Sequence, residues 1–352
     1  MFRIEMLPAE QGDCLWIEYG NGRDPARRVL IDAGPPGTYK TLKKKILDLA
    51  PADRHFELFI VTHIDSDHIG GALKLVEDKR LGVTYGDVWF NGYQHLIDEL
   101  GAVQGERLSQ ALEDLPWNRA FNGRAVVVPW RGRLPRKELP GGLALTLLSP
   151  TRAELARLLP VWEREARRAG LVPGARPARK VEVEEEEEDV LGEETMDIAA
   201  LAARPFKSDA AEANSTSIAV LAEYEGKRLL LGADAYAPVM EASLRRLAAS
   251  SGEERVELAA FKVAHHGSRA NMSNELLAAV SCRRYLISTN GKIFRHPNPE
   301  TIARILLHGG RSPELYFNYR TTYNEVWDRA DLKRVYRYET HYPDGEGITI
   351  DL

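Results

Sequence analysis

The sequence predicts an α/β fold in which the two halves of the chain form the two faces of one sandwich. In the first third, short apolar runs typical of strands alternate with amphipathic stretches typical of helices. An apolar run, a polar loop and a helical pattern follow one another at residues 58–76 and again at 259–280. The chain has 352 residues, 44% of them hydrophobic, so it can bury a large core. We therefore treat residues 1–352 as one domain with two insertions.

Periodicity and turn residues give the order of the elements. In the first half, strands are predicted at 2–7, 14–19, 28–32, 58–61, 87–91 and 143–148, and helices at 38–49, 69–76 and 152–168. In the second half, strands are predicted at 217–224, 228–231, 259–264 and 284–288, and helices at 236–249, 274–280 and 300–307. Glu225 and Gly226 are typical of a hairpin turn between the first two of these strands. A strand-rich tail is predicted to begin at residue 314.

The two insertions differ in composition. Residues 93–136 are predicted to be helical at first and then loop-like, because Pro116, Pro129 and Pro135 interrupt the pattern. Residues 171–213 contain an acidic run, Glu182 with Glu184 to Asp189, which indicates a flexible surface segment. Such a run is usually a solvated loop. The alternative is a flap or a partner contact near the mouth of the active site.

The composition also bounds the location and partners of the protein. No apolar stretch approaches twenty residues, and the first residues lack a signal-peptide core, which predicts a soluble cytoplasmic protein without a membrane contact. Cys14 and Cys282 lack metal-type spacing and have apolar neighbours, so we expect buried thiols. The formal net charge of −5 is a weak argument against a polyanionic substrate, because much of the acid lies in one run.

Four potential metal ligands fall within six residues directly after the apolar run 58–61. They are His63, Asp65, Asp67 and His68. A strand-end loop with carboxylates and histidines is typical of a hydrolytic metal centre with open coordination positions. The alternating positions allow two metals, one taking His63 and Asp65 and the other taking Asp67 and His68. The alternative is a helix cap without ligands, because Asp and Ser are common at caps.

Two later strand ends carry further candidate ligands. Asp234 follows the apolar residues 229–231 and is the best candidate for an anion that bridges two metals. In isolation, such an Asp is more often a helix N-cap. His265 and His266 follow the run at 261–264. Because adjacent histidines point in different directions, we expect only one of them to bind metal and the other to orient it or to touch substrate.

These motifs resemble the metallo-β-lactamase superfamily, and most closely the hydrolase domain of ComEC-type DNA-uptake proteins and their stand-alone relatives. The matching segments run in family order from residue 11 to residue 300. They are Gln11-Gly12-Asp13-Cys14, Leu30-Ile31-Asp32-Ala33-Gly34, His63-x-Asp65-x-Asp67-His68-x-Gly70-Gly71, Asn214-Ser215-Thr216-Ser217, Asp234, His265-His266-Gly267-Ser268 and His296-Pro297-Asn298-Pro299-Glu300. The resemblance implies a four-layer αββα sandwich, with two sheets face to face, helices outside and the site at one sheet edge.

The sequence departs from the superfamily pattern at two places. Asp65 stands where many members have a histidine, which makes the site richer in oxygen and shifts its preference from Zn²⁺ toward Mn²⁺. Many members also have a further histidine between the first cluster and the bridging Asp. His95 is the only histidine in that interval, and we expect it more readily at the surface or behind the ligands than on a metal. The cofactor expected from the resemblance is a pair of divalent ions, Zn or Mn.

The other candidate residues surround these ligands. We expect Asp32 to hydrogen-bond the ligand loop, and Asn214 and Ser217 to position backbone or substrate near Asp234, although capping alone would also explain Asn214 and Ser217. His296 is a candidate for gripping a phosphate or protonating a leaving group, which makes it a predicted catalytic residue with Asp67 and Asp234. Residues that support the ligands or touch substrate are expected to include Ser268 and Lys262. Phosphate steering is expected from Lys262, Arg269, Lys292 and Arg295, each of which has the alternative of being a surface charge.

The leading hypothesis for function is a metal-dependent phosphodiesterase or nuclease. The resemblance implies that a dinuclear metal-activated hydroxide cleaves DNA, so that nucleic acid is the expected partner. One alternative is a hydrolase of a small phosphoester or a lactone, which a narrow acidic pocket would favour. Another is a weakly catalytic effector or scaffold that binds a protein partner through residues 93–136 and 171–213.

Overall fold

Two β-sheets pack face to face in this protein, with helices on both outer sides. The computed structural model describes residues 1–95, 103–168 and 196–352. The strands are β1 (Phe2–Met6), β2 (Leu15–Tyr19), β3 (Arg27–Ile31), β4 (His55–Ile60), β5 (Thr84–Trp89), β6 (Arg136–Glu138), β7 (Ala144–Ser149), β8 (Ala219–Tyr224), β9 (Lys227–Leu231), β10 (Val256–Leu258), β11 (Ala260–Lys262), β12 (Val280–Cys282), β13 (Arg284–Ile287), β14 (Glu314–Phe317), β15 (Glu339–His341) and β16 (Ile348–Asp351). The helices are α1 (Tyr39–Leu47), α2 (Ser66–Glu77), α3 (Val103–Leu112), α4 (Arg152–Arg168), α5 (Ile198–Ala203), α6 (Glu212–Ser215), α7 (Ala237–Ser251), α8 (Asn274–Ala278), α9 (Pro299–His308) and α10 (Ala330–Tyr336).

The first sheet has the order β16-β1-β2-β3-β4-β5. The pairs β16–β1, β1–β2 and β2–β3 are antiparallel, whereas the pairs β3–β4 and β4–β5 are parallel. The final strand of the chain, β16, pairs with β1, so both ends of the described chain lie in this sheet. Because β4 is buried on both faces, it has the continuous apolar pattern from which a strand was predicted.

The second sheet has the order β15-β14-β13-β11-β9-β8-β7-β6. Five strands are parallel to one another: β9, β11, β13, β14 and β15. From β6 to β9, each strand is antiparallel to the next. It follows that the carboxyl ends of β7, β9, β11 and β13 all reach the same edge of the sheet. The predicted hairpin between β8 and β9 is present, with Glu225 and Gly226 at φ values of 49° and 78°.

Three apolar clusters separate the layers. One lies between the two sheets and joins residues such as Ile4 and Leu58 to Leu229 of the opposite sheet. A second lies between the first sheet and its helices, and a third lies between the second sheet and its helices. Three clusters between four layers confirm the predicted αββα sandwich.

The structure corrects several predicted elements. The helix predicted at 274–280 ends at Ala278, and Val280 is instead the first residue of the strand β12, which pairs with β10 in a small parallel sheet. The predicted strand-rich tail also contains the helix α10.

Within the first insertion, α3 packs against α2 and the following chain ends in the edge strand β6. The acidic run Glu182 to Asp189 lies outside the described residues.

Both cysteines are buried free thiols, as expected from their apolar neighbours. Over the described ranges, the helices are too short or too polar to cross a bilayer.

Candidate metal centre

The loop between β4 and α2 brings the first group of candidate ligands to the sheet edge. His63 follows β4, and its imidazole is buried. Asp65 stands at the N-cap of α2, but its side chain makes no capping hydrogen bond, so capping does not account for it. Asp67 and His68 lie in the first turn of α2, with His68 fully buried.

Gly70 and Gly71 of α2 lie directly against other parts of the chain. A Cβ at Gly70 would lie 2.5 Å from the Pro36 side chain, and one at Gly71 would lie 2.1 Å from the Ala33 carbonyl oxygen. Gly12 has the same role toward the ligand loop, because a Cβ there would lie 1.8 Å from the Asp67 carbonyl oxygen. These glycines allow the turns around the site to pack closely.

Asp234 lies at the centre of four imidazoles. Its Oδ2 is 3.4 Å from the Nε2 of His68, 3.6 Å from that of His265, 3.7 Å from that of His266 and 4.0 Å from that of His63. The carboxylate is 2% exposed, and it follows β9 of the second sheet, whereas His63 and His68 come from the first sheet. The cluster therefore joins the two halves of the chain.

Asp67 and Asp65 lie on either side of this centre. Asp67 Oδ2 is 3.9 Å from His68 Nε2 and 3.7 Å from His266 Nε2. Asp65 Oδ2 is 3.6 Å from His63 Nε2, and its side chain is 41% exposed. The ligands could thus divide into a group with Asp67 and a group with Asp65, with Asp234 between them.

Hydrogen bonds to the Asp32 carboxylate hold the ligand loop in place. Its carboxylate accepts bonds from the Thr62 amide at 2.8 Å and the Thr62 hydroxyl at 2.7 Å, and it lies 2.8 Å from His68 Nδ1. All three residues are buried. With Nδ1 engaged in this way, the Nε2 of His68 is directed toward Asp234.

Both imidazoles of the His265-His266 pair lie near the Asp234 carboxylate, and the expectation that only one of them binds metal stays a prediction. Their rings are inclined at 77°, but the backbone at both residues adopts a left-handed conformation, with φ values of 46° and 53°. This unusual backbone turns the two side chains toward the same carboxylate. Strained backbone of this kind is typical of functional sites. His266 Nδ1 donates to the Ser288 carbonyl oxygen at 2.8 Å.

Two residues that were not predicted to be near the site lie behind His265. Its Nδ1 lies 2.8 Å from Asn271 Oδ1 and 3.2 Å from Asp209 Oδ2. Asn271 also donates to the carbonyl oxygen of Asp234 at 3.1 Å. Asp209 follows no strand end and lies in no motif, so the sequence carried no signal for it.

Lys262 was expected to steer a substrate phosphate, but its position in the structure excludes that role. Its side chain is fully buried, and its Nζ lies 2.6 Å from Asp13 Oδ2. Burial alone would raise the pKa of the Asp13 carboxyl, but Lys262 and His266 together hold that pKa well below its usual range. Asp13 is therefore a charged partner beneath His266, whose Nδ1 is 3.5 Å away.

The remaining predicted residues lie around the cluster. Asn214 donates to Asp209 Oδ2 at 2.8 Å, and Ser217 is buried at the start of β8, on the same edge as Asp234. The hydroxyl of Ser268 accepts a bond from the Ala270 amide at 3.2 Å, so it stabilises the turn of the histidine loop.

His296 lies beside the histidine pair, with its ring centroid 5.3 Å from that of His265. It is 8% exposed. Burial and the neighbouring imidazoles hold the pKa of His296 well below its usual range. By contrast, burial would lower the pKa of His265, but the carboxylates of Asp234 and Asp209 raise it to about 9.

His95 is remote from these contacts. Its Nε2 lies 3.2 Å from the Gly123 carbonyl oxygen, its ring packs edge-on against Trp117, and burial lowers its pKa to about 4. It is an interior residue, which contradicts the surface position, one of the two positions expected for it.

The donor set fits divalent cations. Burial opposes the protonation of His68, yet Asp234, Asp32 and Asp67 raise its pKa well above the usual range, which shows that the centre stabilises positive charge. His63 Nε2 and Asp234 Oδ1 are buried without a hydrogen-bond partner among the described residues. Such unpaired polar atoms are costly unless a ligand satisfies them. His63, His68 and Asp234 form one group with metal-binding spacing, and Asp67, His68 and His266 form another.

The rim next to His296 is both apolar and basic. Ile293 and Phe294 are 52% and 54% exposed, and the Phe294 ring stacks on that of His296 at 6.0 Å. Lys292 is exposed beside them, and the Arg269 side chain is 64% exposed although it lies 3.3 Å from Glu300. Exposed apolar side chains beside charged ones mark interaction sites.

Comparisons with known proteins identify the family. Residues 7–291 match the model of the metallo-beta-lactamase superfamily. This is most of the chain, so the protein belongs to that superfamily and is a metal-dependent hydrolase with a histidine and aspartate metal site. No curated protein sequence matches the chain.

Several solved structures are similar to this chain. Over 100% of both chains it is similar to the metallo-beta-lactamase fold protein YhfI from Bacillus subtilis, at 9% identity and a TM-score of 0.43. Over 73% of this chain and 70% of the other, it is similar to a HARLDQ-motif metallo-beta-lactamase of Cronobacter sakazakii, at 14% identity and a TM-score of 0.31. It is also similar to MEM-A1, a subclass B3 metallo-beta-lactamase from a soil metagenome, at 20% identity over 42% and 52% of the chains, with a TM-score of 0.21.

Proposed function

We propose that this superfamily member is a phosphodiesterase that cleaves DNA with the help of two divalent ions. The observation that carries the proposal is the position of the carboxylate and imidazole cluster, directly beside a rim of exposed basic and aromatic side chains. Nucleic-acid binding depends on the local field and on stacking surfaces, and the net charge of the whole chain matters less. The resemblance of the motifs to ComEC-type hydrolase domains supports the same substrate.

The residues around Asp234 would hold the two ions. His63 and Asp65 would serve one ion, Asp67 and His266 would serve the other, and His68 lies within reach of either. Bound divalent ions would lower the pKa of a coordinated water and neutralise charge on phosphate oxygens. Because its ligand set is rich in oxygen, we infer a preference for Mn²⁺ over Zn²⁺.

The protein's own residues would orient these groups and receive the substrate. Asp32 fixes the His68 ring through Nδ1, and Asp209 with Asn271 fixes that of His265. His296 stays neutral because of its depressed pKa, so it is better suited to donating a hydrogen bond to a phosphate oxygen than to delivering a full positive charge.

The decisive experiment is hydrolysis of single- and double-stranded DNA by metal-stripped protein that is resupplied separately with Mn²⁺, Zn²⁺ and Mg²⁺. Asp67→Asn and Asp234→Asn proteins would be measured beside it. Asp344→Asn is the matched control, because Asp344 is an exposed carboxylate outside the site. We expect cleavage that requires added metal and falls at least about a hundredfold in the first two variants only.

Other outcomes would redirect the assignment. Hydrolysis of bis(p-nitrophenyl) phosphate without cleavage of any DNA would favour the small-phosphoester alternative. Metal binding without hydrolysis of either substrate would favour an effector that acts through a protein partner. Residues 93–136 are the candidate for contacting such a partner, because most of residues 171–213 lie outside the described residues. A cytoplasmic location remains part of this proposal.

A further inference from the structure

Two exposed aromatic side chains lie on opposite sides of the metal centre. Among the described residues, the large aromatic side chains with high exposure are Trp130, at 84%, and Phe294, at 54%. Single apolar side chains are common at protein surfaces, but those that are grouped with charged side chains mark interaction sites. The proposed function uses the rim at Phe294 but does not explain Trp130.

Topology places both aromatic residues at the edge that carries the metal centre. Phe294 lies in the loop that follows β13, next to the strand β11 that ends at the histidine pair. The Trp130 loop is anchored at the carboxyl end of β7. There the Val128 amide donates to the Pro150 carbonyl oxygen at 2.7 Å, and the Leu147 amide donates to that of Pro135 at 2.9 Å. Because β7 runs in the same direction as β9, this end lies on the same edge as Asp234.

The Trp130 loop is held in place by Arg246 of α7. The Arg246 guanidinium donates to the carbonyl oxygens of Pro129 at 3.1 Å and Gly132 at 2.8 Å. These two bonds span Trp130 and Arg131. A loop fixed in this way pays less entropy when it binds a partner.

The charge around Trp130 indicates an anionic partner. From residue 115 to residue 137 the chain has no acidic residue. The same stretch holds six basic residues, which are Arg119, Arg124, Arg131, Arg133, Arg136 and Lys137. Arg131 and Arg133 are exposed on either side of Gly132. An aromatic face among arginines is the combination that binds single-stranded nucleic acid.

We propose that Trp130 and Phe294 are two stacking platforms that hold a single DNA strand along this edge, so that the strand passes over the metal centre between them. The inference rests on the proposed function and specifies its substrate as an extended strand. From β13 to β6 there are five strand spacings of about 4.8 Å each, or roughly 24 Å. At about 3.4 Å per nucleotide, the rise of a fully stacked strand, this distance corresponds to roughly seven nucleotides, and a more extended strand needs fewer.

The test is binding of cleavage-resistant phosphorothioate oligothymidylates of 3 and 12 nucleotides to the metal-loaded protein, measured by fluorescence anisotropy. We expect Trp130→Ala to weaken binding of the 12-mer about tenfold and to leave that of the 3-mer unchanged. Trp130→Phe should retain most of the affinity. Val335→Ala is the surface control, since Val335 is 65% exposed and lies on α10.

Charge is tested separately with Arg131→Gln combined with Arg133→Gln. This pair of changes should reduce the slope of log K against log salt by about 1.4, because two phosphate contacts are removed and each contributes about 0.7 on a single strand. Polyglutamate of matched length serves as the competitor. Displacement of the 12-mer by polyglutamate as effectively as by unlabelled DNA would overturn the inference in favour of an acidic polypeptide.

The two proposals fail in different ways. Equal affinity of wild type and Trp130→Ala for the 12-mer would overturn the stacking inference even if the protein cleaves DNA. Absence of DNA cleavage, with length-dependent binding that still requires Trp130, would retain the binding inference and overturn the nuclease assignment.

Discussion

At the scale of single residues, Asp32 influences the metal centre through the residues that it holds in position. Its carboxylate accepts two bonds from Thr62 and orients His68 through Nδ1. We expect Asp32→Asn to lower metal affinity by about 10–100-fold, because partners behind metal ligands have effects of this size. Competition with a chromophoric chelator measures the affinity, and circular dichroism checks that the fold is kept. Unchanged affinity in Asp32→Asn would show that the Thr62 bonds alone position the loop.

The buried pair of Lys262 and Asp13 makes a prediction about stability. Lys262→Met would leave the Asp13 carboxylate buried without its main partner, which costs about 3–5 kcal/mol of folding free energy. Denaturant unfolding measures this cost. The double variant with Asp13→Asn should recover much of it, since the uncompensated charge is then removed. A loss below about 1 kcal/mol in Lys262→Met would contradict the idea that the pair is charged.

The two thiols should be inert in the folded protein. Burial raises the pKa of Cys282 to about 12 and raises that of Cys14 well above its usual value. With a pKa of about 12, roughly one Cys282 thiol in ten thousand is ionised at pH 8, and the thiolate is the reactive form. Both thiols should therefore react with a disulfide reagent only after denaturation. Fast labelling of native protein at pH 8 would contradict this expectation.

At the scale of elements, the turn that contains Gly12 supports the first turn of α2. A Cβ at Gly12 would lie 1.8 Å from the Asp67 carbonyl oxygen, so one of the two segments must move. We expect Gly12→Ala to lower both the melting temperature and the metal affinity. Gly345→Ala is the matched control, because nothing lies within 4 Å of a Cβ there. Equal metal binding by both variants would mean that the backbone adjusts without moving Asp67.

Local patterns predicted the presence of β4 and α2, because the buried apolar residues and the candidate ligands of these elements lie close together in the sequence. The strand β12 has only three residues, which is too short to distinguish a strand from a helix end. The burial of Lys262 was not predictable either, since its partner Asp13 is 249 residues away in the sequence. Asp209 lacks any pattern of its own, and only tertiary packing brings it to His265.

At the scale of the whole molecule, the candidate ligands lie on both sheets. His63, Asp67 and His68 lie in the loop and helix that follow β4 of the first sheet, and Asp234 and His266 follow strands of the second. The order of the motifs could predict that they belong to one site, because the resemblance covered most of the chain. It could not predict that both adjacent histidines would face Asp234, because that depends on the left-handed backbone at 265 and 266.

A centre built from both sheets should couple metal binding to the stability of the sandwich. Ions that bind only the folded chain stabilise it by about 2.7 kcal/mol when their free concentration is a hundred times Kd. Removing them with a chelator should lower the melting temperature by roughly 5 °C in calorimetry. The same chelator should have little effect on Asp234→Asn, which lacks the carboxylate between the four imidazoles. An equal shift in both proteins would place the stabilising ion outside this centre, whereas the expected difference would show that the metal joins the two halves of the fold.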